Sequence, residues 1–383
     1  TILLGDGERL GVDGRITMEG TESSPVSIDS ISGDHQGIIF NSTSNNKGST
    51  LDNLTISDGE YGITIYGSDP VISNLRVNNA DKVAIDLFDS ASPTLRDIVI
   101  DGGGQDVHGS STSWRYGIGI SAGASSAPIV QGATIGNTIT RGVNLWYNSG
   151  GLWSDISITN ISGATLAAAA GIWIEDSIPL FTDSNVSNSD NGIIVRHISE
   201  TTTRPTFIDT KVLNCQYRGV LVERYDHTNY SNLQTNAVFT GLEIRGTGGP
   251  NAKTPGLGIG AAFDVNTSGA RVTNAVIEDN AIVGFRAYTI DSSTSLTNIT
   301  IRNNGPELPF KPHEGAGILF RSTSWTSKGP AEISDLIVEN STGSGVVMAK
   351  GGAMGSNWTI RGNAADGVTF VEFHPRVDIL VSE

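Results

Sequence analysis

Short apolar runs with a period of two recur along this chain, and a small residue leads each of them. They begin at Gly37 (GIIF), Gly62 (GITI), Ala84 (AIDL), Gly117 (GIGI), Gly142 (GVNL), Gly171 (GIWI) and Gly192 (GIIV). They continue at Gly219 (GVLV), Gly260 (GAAF), Gly284 (GFRA), Gly317 (GILF), Gly345 (GVVM) and Gly367 (GVTF). Alternation places neighbours on opposite faces of a strand, so each run predicts a short β-strand with one buried face. The tightest members lie 21 or 22 residues apart, and the wider spacings predict inserted loops. Repeats of this size, built from strands that cannot bury their apolar face alone, predict a β-solenoid.

The remainder of each unit agrees with that reading. Proline recurs just before a strand at Pro70, Pro93, Pro128, Pro179, Pro205 and Pro330, where its missing N–H costs least. An asparagine closes the following run at Asn160, Asn188, Asn280, Asn303, Asn340 and Asn363. Asparagine tolerates the left-handed backbone of a corner, and stacked amides hydrogen-bond from one coil to the next. On these features the chain resembles the right-handed parallel β-helix (pectate-lyase-like) proteins over essentially all of 15–383. Residues 14–57 look like the opening coils of secreted and cell-surface members. The resemblance implies an all-β, single-stranded right-handed parallel β-helix of about 13 coils, hence a rod about 60 Å long. One domain is expected over 1–383, with opening coils to 36, regular coils over 37–371 and a C-terminal end at 372–383. That family holds lyases, hydrolases, epimerases, tailspikes and adhesins, so fold alone does not decide function.

With the leading small residue as position zero, positions one and three are expected to point inward and two and four outward. Position four then reads Tyr66, Phe88, Ser121, Trp146, Glu175, Arg196, Glu223, Asp264, Tyr288, Arg321, Ala349 and Val371. Position two adds Asp86, Asn144, Trp173 and Arg286. Ionisable groups gather in the middle coils, where Asp176, His197, Arg224, Tyr225, Asp226 and His227 adjoin them. Long insertions at 101–116, 224–237, 246–258, 305–316 and 322–330 would wall a groove there. Glu175, Glu223 and Asp264 are the candidate catalytic carboxylates. Coil spacing sets Glu223 and Asp264 about 5 Å apart, the separation of retaining glycosidases, and Glu175 and Glu223 about 10 Å apart, nearer the inverting one. Trp146, Trp173, Arg196, His197, Tyr225, Tyr288 and Arg321 are the candidate substrate contacts, with aromatic rings for sugar faces and Arg196 for a substrate carboxylate. The alternative reading of Glu175, Arg196 and Glu223 is a surface ladder of alternating charge that does no chemistry.

Other signals narrow the field. The segment KPHEGAG (311–317) is similar to the Asp-Pro-His-Glu motif of mannuronan C5-epimerases, with Lys311 where that motif has its aspartate. The Asn-Thr-Asp, Gly-His-Gly and Arg-Ile-Lys signatures of polygalacturonases are absent from the sequence. DGGGQD (101–106) resembles a glycine-rich Ca²⁺-binding repeat in a single copy, no metal-ligand spacing links the histidines, and no cofactor is called for. Of the Asn-x-Ser/Thr sequons, Asn229 sits in the inserted loop 224–237 and is the expected glycosylation site. The lone cysteine, Cys215, leaves no intrachain disulfide and reads as a small buried thiol.

A formal charge of −16 excludes a nucleic-acid partner and disfavours a polyanionic one. No run is long enough to span a bilayer, and a chain starting at Thr1 is expected to be a mature form or a piece of something longer. Together these features lead to two readings. The first is a secreted or cell-surface module, structural or adhesive and glycan-contacting, with flanking domains and no catalysis. The second is a polysaccharide-active lyase, hydrolase or epimerase. No window holds a 3.6-residue apolar period over three turns, and ATLAAAAG (164–171) is too short for an independent helix. Far-UV circular dichroism should therefore show almost no helix, and a helical fraction above about a quarter would contradict the fold.

Overall fold

The structure, a computed structural model, describes residues 1–104, 116–163, 169–198, 204–224, 236–248, 261–266, 268–288, 294–305, 315–321, 331–349 and 353–371. It divides into two compact units, Thr1–Lys211 and Val212–Glu383. Both are built from stacked parallel strands. Among the described residues the only helical turn is a 3₁₀ turn at Ser42–Ser44. No helix among the described residues is long and apolar enough to cross a membrane.

In the first unit one sheet stacks the strands Leu10–Val12, Ile38–Phe40, Tyr61–Tyr66, Val83–Phe88, Ile118–Ala122, Arg141–Leu145, Ala170–Glu175 and Asn191–His197, each parallel to the next. Their register sets Ile38, Ile63, Ile85, Ile120, Val143, Ile172 and Ile193 one above another, and all are fully buried. The opposite sheet contributes the other wall of the core from strands such as Val71–Asn78, Thr94–Gly103, Ile129–Thr138 and Leu152–Thr159. Between the walls, Trp153, Phe181 and Phe207 form a column with ring centroids 5.5 and 5.3 Å apart.

The second unit repeats the scheme with Arg218–Arg224, Ala261–Asn266, Val283–Tyr288, Ile318–Arg321, Val346–Ala349 and Val368–Val371. Its core carries Phe239, Phe263, Phe285 and Phe320 in successive ring contacts. Cys215 is a free, buried thiol.

Two local devices keep the rows in step. At the corners, Asn and Asp adopt left-handed backbone, as at Asn160 (φ 58°), Asn303 (φ 54°) and Asn340 (φ 55°). At the first two the side-chain amide bonds to the row before: Asn160 Nδ2 donates to Asn137 Oδ1 at 3.2 Å, and Asn303 Nδ2 to Asp279 Oδ1 at 2.9 Å. The second device is the leading glycine. A Cβ on Gly142 would sit 2.5 Å from Ile158 Cγ2 in the core and 2.7 Å from the Gly171 carbonyl oxygen of the next row. Position zero therefore faces inward along with position one, and the residue before it is turned outward. The pairing skips the glycine accordingly, matching Arg141 to Ala170 and then Val143 to Ile172.

The register differs from the sequence reading in two rows. Ile120 pairs with Ile85, and Val220 with Phe263, so Gly119 and Ala262 occupy position zero in place of Gly117 and Gly260. A shift of two keeps inside and outside unchanged, which is why alternation alone does not detect it. Ser121 and Asp264 consequently belong to position two.

Truncating Ile193, fully buried, to Ala should cost about 2–4 kcal/mol, whereas Ile178→Ala, at a side chain 57% exposed, should cost little. Equal melting temperatures for the two variants would mean the faces are reversed. Gly219→Asp should unfold its neighbourhood, since a Cβ there lies 2.6 Å from both the Ala262 carbonyl oxygen and Ile244 Cγ2.

Candidate functional site

Three outward columns cross the first unit's inner-core sheet, at positions minus one, two and four. Position two carries Thr64, Asp86, Ser121, Asn144, Trp173 and Ile194, all buried although they point away from the core. The expectation that Asp86, Asn144 and Trp173 lie open on the surface is thus corrected. Trp173 is only 3% exposed and offers no free face for a sugar. Position four is more open: Tyr66, Phe88, Trp146, Glu175 and Arg196 are all half-buried.

Aromatic rings run along one part of this face. Tyr66 stacks on Phe88 at 5.5 Å, Phe88 meets Trp146 edge-on at 6.0 Å, and Trp146 adjoins Tyr147 at 4.9 Å. Trp146 skips a row to reach Phe88 because position four of the intervening row is Gly123. A Cβ there would lie 2.4 Å from the indole Cε2. The Trp146 Nε1–H donates to Ser121 Oγ at 3.3 Å, and Tyr147 is 61% exposed. Just ahead of the leading small residues, the Lys82 ammonium pairs with Glu60 and sits 5.5 Å from the Tyr61 ring centroid and 5.8 Å from that of Tyr116.

Charge gathers around Trp173. The Arg141 guanidinium lies 4.0 Å from its ring centroid and that of Arg196 4.6 Å away, within the range of cation–π attraction. Glu175 is paired directly with Arg196 in the row register, and the Trp173 Nε1–H points to Glu175 Oε2 at 3.5 Å. Arg141, turned outward by the glycine that follows it, donates from Nη1 to Asn144 Oδ1 at 2.5 Å. Burial pulls its pKa down from the ordinary guanidinium value to about 10, with Glu175 opposing the shift and Arg196 adding to it. A depression of that size costs the fold on the order of 3 kcal/mol while the group is charged. The folded protein releases this proton before the unfolded chain does, so the cost is full below pH about 10 and fades above it.

His197 is held differently. Its Nδ1 is 3.4 Å from Asp176 Oδ1, both residues are buried, and the same carboxylate oxygen accepts the Ile198 N–H at 3.1 Å. That arrangement locks a corner of the coil, so His197 belongs to the scaffold beside Arg196.

In the second unit, Asp264 is level with Leu221, and Glu223 with Asn266, which removes the expected single-step pairing of Glu223 with Asp264. Asp264 is 2% exposed and accepts two bonds from Arg286, from Nε at 3.0 Å and Nη2 at 2.5 Å, with Arg218 Nε 3.6 Å away. Arg286 in turn lies 4.8 Å from the Tyr288 ring centroid. Asp264 is therefore a buried ion-pair partner. Tyr225, Asn229, Trp114, Trp325, His227 and the His313-Glu314 pair lie outside the described residues, as does the Arg321 side chain. Among the described residues no group of three or more His, Cys, Asp or Glu side chains gathers to hold a metal ion. Arg141 is the residue that the sequence reading missed; its signal is its place immediately before a leading glycine.

The family described as "Right handed beta helix region" matches residues 36–204 and 170–372 of this chain. A curated relative, endopolygalacturonase I of Aspergillus aculeatus, is 26% identical over 185 residues, which is 45% of this chain and 44% of that protein. Among solved structures, the periplasmic alginate epimerase AlgG has a TM-score of 0.49 at 9% identity, covering 91% of this chain and 77% of that one. An alginate lyase from Paenibacillus sp. str. FPU-7 has 0.40 at 13%, covering 63% and 87%, and the Dettilon tailspike protein has 0.44 at 11%, covering 96% and 61%.

Gly123→Ala should push the Trp146 indole off its row and cost roughly 1–3 kcal/mol of stability. Near-UV circular dichroism and tryptophan emission report the displacement; spectra matching the wild type would show that the ring does not depend on that slot.

Proposed function

This chain belongs to the right-handed β-helix family, and from that premise we propose that it is a polysaccharide-active protein whose substrate lies along the outer face of its first unit. The observation that carries the reading is the pairing of Glu175 with Arg196 in adjacent rows, one row from the half-buried Trp146 and the exposed Tyr147. A sugar ring stacks on an indole or phenol without needing charge, and a carboxylate beside it exchanges protons with a hydroxyl or ring carbon. Glu175 takes the proton-transfer role, Arg196 positions the sugar, and Trp146 with Tyr147 forms the platform. The polysaccharide specificity of the curated relative's name supports this reading over a purely structural module.

Two-carboxylate hydrolysis fits this face poorly. Asp176, next to Glu175 in sequence, is buried against His197, and Asp86 stands three rows from Glu175, about 14 Å by row spacing, beyond the ~5–9.5 Å that glycosidase pairs use. The lack of polygalacturonase signatures points the same way. Single-carboxylate proton transfer at carbon, as in elimination or epimerisation, suits the arrangement better. Such a protein meets its polymer outside the cytoplasm, and we place this one in a secreted or cell-surface setting beside further domains.

The test is a panel of polysaccharides assayed for depolymerisation and for change of sugar configuration. The wild type should alter at least one polymer, and Glu175→Gln should lower turnover by about 100-fold or more while shifting stability by less than about 1 kcal/mol. A wild type that binds glycans through Trp146 and alters none would restore the non-catalytic module. Loss of turnover in Glu223→Gln with Glu175→Gln fully active would move the site to the second unit. Asp264→Asn should instead destabilise the fold by about 3–5 kcal/mol, because it leaves Arg286 buried without its counter-charge.

A further inference from the structure

Among the described residues two guanidiniums are buried, and the fold treats them in opposite ways. Arg286 lies against Asp264 with two hydrogen bonds to the carboxylate. Arg141, 8% exposed, makes no ion pair to any described carboxylate. Its Nη1 is bonded to the neutral Asn144 amide, and its buried Nε has no hydrogen-bond partner among the described residues. A planar five-donor fork left with one bond is a costly thing to bury unless an anion completes it. No described carboxylate completes the fork: Arg196 lies over the same Trp173 ring and adds positive charge, and Glu175 offsets part of the cost of burial without a hydrogen bond or ion pair to Arg141.

We propose that Arg141 is the receptor for an anionic substituent, a carboxylate or an ester sulfate, carried by the polysaccharide bound on this face. The anion site stands on the geometry of Arg141, Asn144 and Trp173; that its bearer is a polysaccharide rests on the function proposed above. Guanidinium suits the task because its fork matches the two oxygens of either group and its plane stacks on an indole. The chain's overall charge of −16 does not forbid it. Exposed charges are screened beyond about 8 Å at physiological salt, whereas a buried cation is screened far less. Binding should therefore be selective for acidic polymers, with one contact deciding the selectivity.

The experiment uses the full chain and matched ligands. Binding is measured for a uronate-rich polysaccharide and its carboxyl-reduced form, and for a sulfated polysaccharide and its desulfated form, with wild type, Arg141→Gln and Arg141→Lys. The wild type should prefer one acidic polymer over its neutral match by about tenfold or more, a factor in the range of a charge-assisted hydrogen bond. Arg141→Gln should abolish that preference and Arg141→Lys retain part of it; which acidic polymer is preferred distinguishes carboxylate from sulfate. A second arm measures thermal shift with monomeric galacturonate and with inorganic sulfate. A shift in the wild type and in Arg141→Lys but not in Arg141→Gln supports the site even where no polymer binds, in which case the polysaccharide reading fails and the anion site stands. Equal affinity for acidic and neutral polymers together with no anion-dependent shift overturns the proposal, as does a preference that survives in Arg141→Gln. Arg141→Lys, which keeps the charge, is the control against a folding defect.

Discussion

The close approach of one row to the next at the leading glycine governs the rest of this structure. A Cβ on Gly62 would lie 2.5 Å from the Ala84 carbonyl oxygen, on Gly142 2.7 Å from that of Gly171, and on Gly171 3.0 Å from that of Gly192. From Gly37 to Gly367 that slot holds nothing larger than alanine, which takes it at Ala84 and Ala262. The same geometry turns two successive residues inward, zero and one, so that the residue ahead of the glycine must face out. Tyr61 and Arg141 owe their place on the outer face to this bulge, and so does the alanine–valine cluster of Ala261, Val283 and Ala316 in the second unit.

Stability and chemistry are thereby separated by face. Inner positions hold fully buried isoleucine, valine and phenylalanine at the same level in row after row, where each side chain contributes about 1.5–3 kcal/mol by leaving water. Asn and Asp corners bond across rows and fix the register without consuming outer positions. The outer face is then free to hold groups that lower stability. Arg141 illustrates the point: a guanidinium with one hydrogen bond would be a poor choice for holding a coil together, and it sits on a sheet whose other wall makes it affordable.

The period-two pattern, the repeat length and the corner asparagines were enough to read the architecture and the inner ladder, because those features answer to backbone geometry that every coil shares. Register was less legible. GIGI at 117–120 can start at Gly117 or Gly119 and GAAFD at 260–264 at Gly260 or Ala262, two residues apart in each case; both starts keep the apolar side chains inside, so only row pairing distinguishes them. Burial of position two was not legible either. Alternation says that Trp173 points away from the core and is silent about what lies over it. Glu175 and Arg196 were placed side by side by spacing alone, since no loop intervenes between their rows, whereas Asp264 was misplaced by the long insertion ahead of it.

The central claim is that a polysaccharide lies across the outer face of the first unit, on Trp146 and Tyr147 and beside Glu175. Hydroxyl-radical footprinting of the full chain, with and without the tightest-binding polymer, addresses it at the level of single side chains. The account predicts that polymer protects Trp146 and Tyr147 from oxidation and leaves Tyr288, on the second unit, at its free rate. Protection of Tyr288 with Trp146 and Tyr147 unchanged would contradict it.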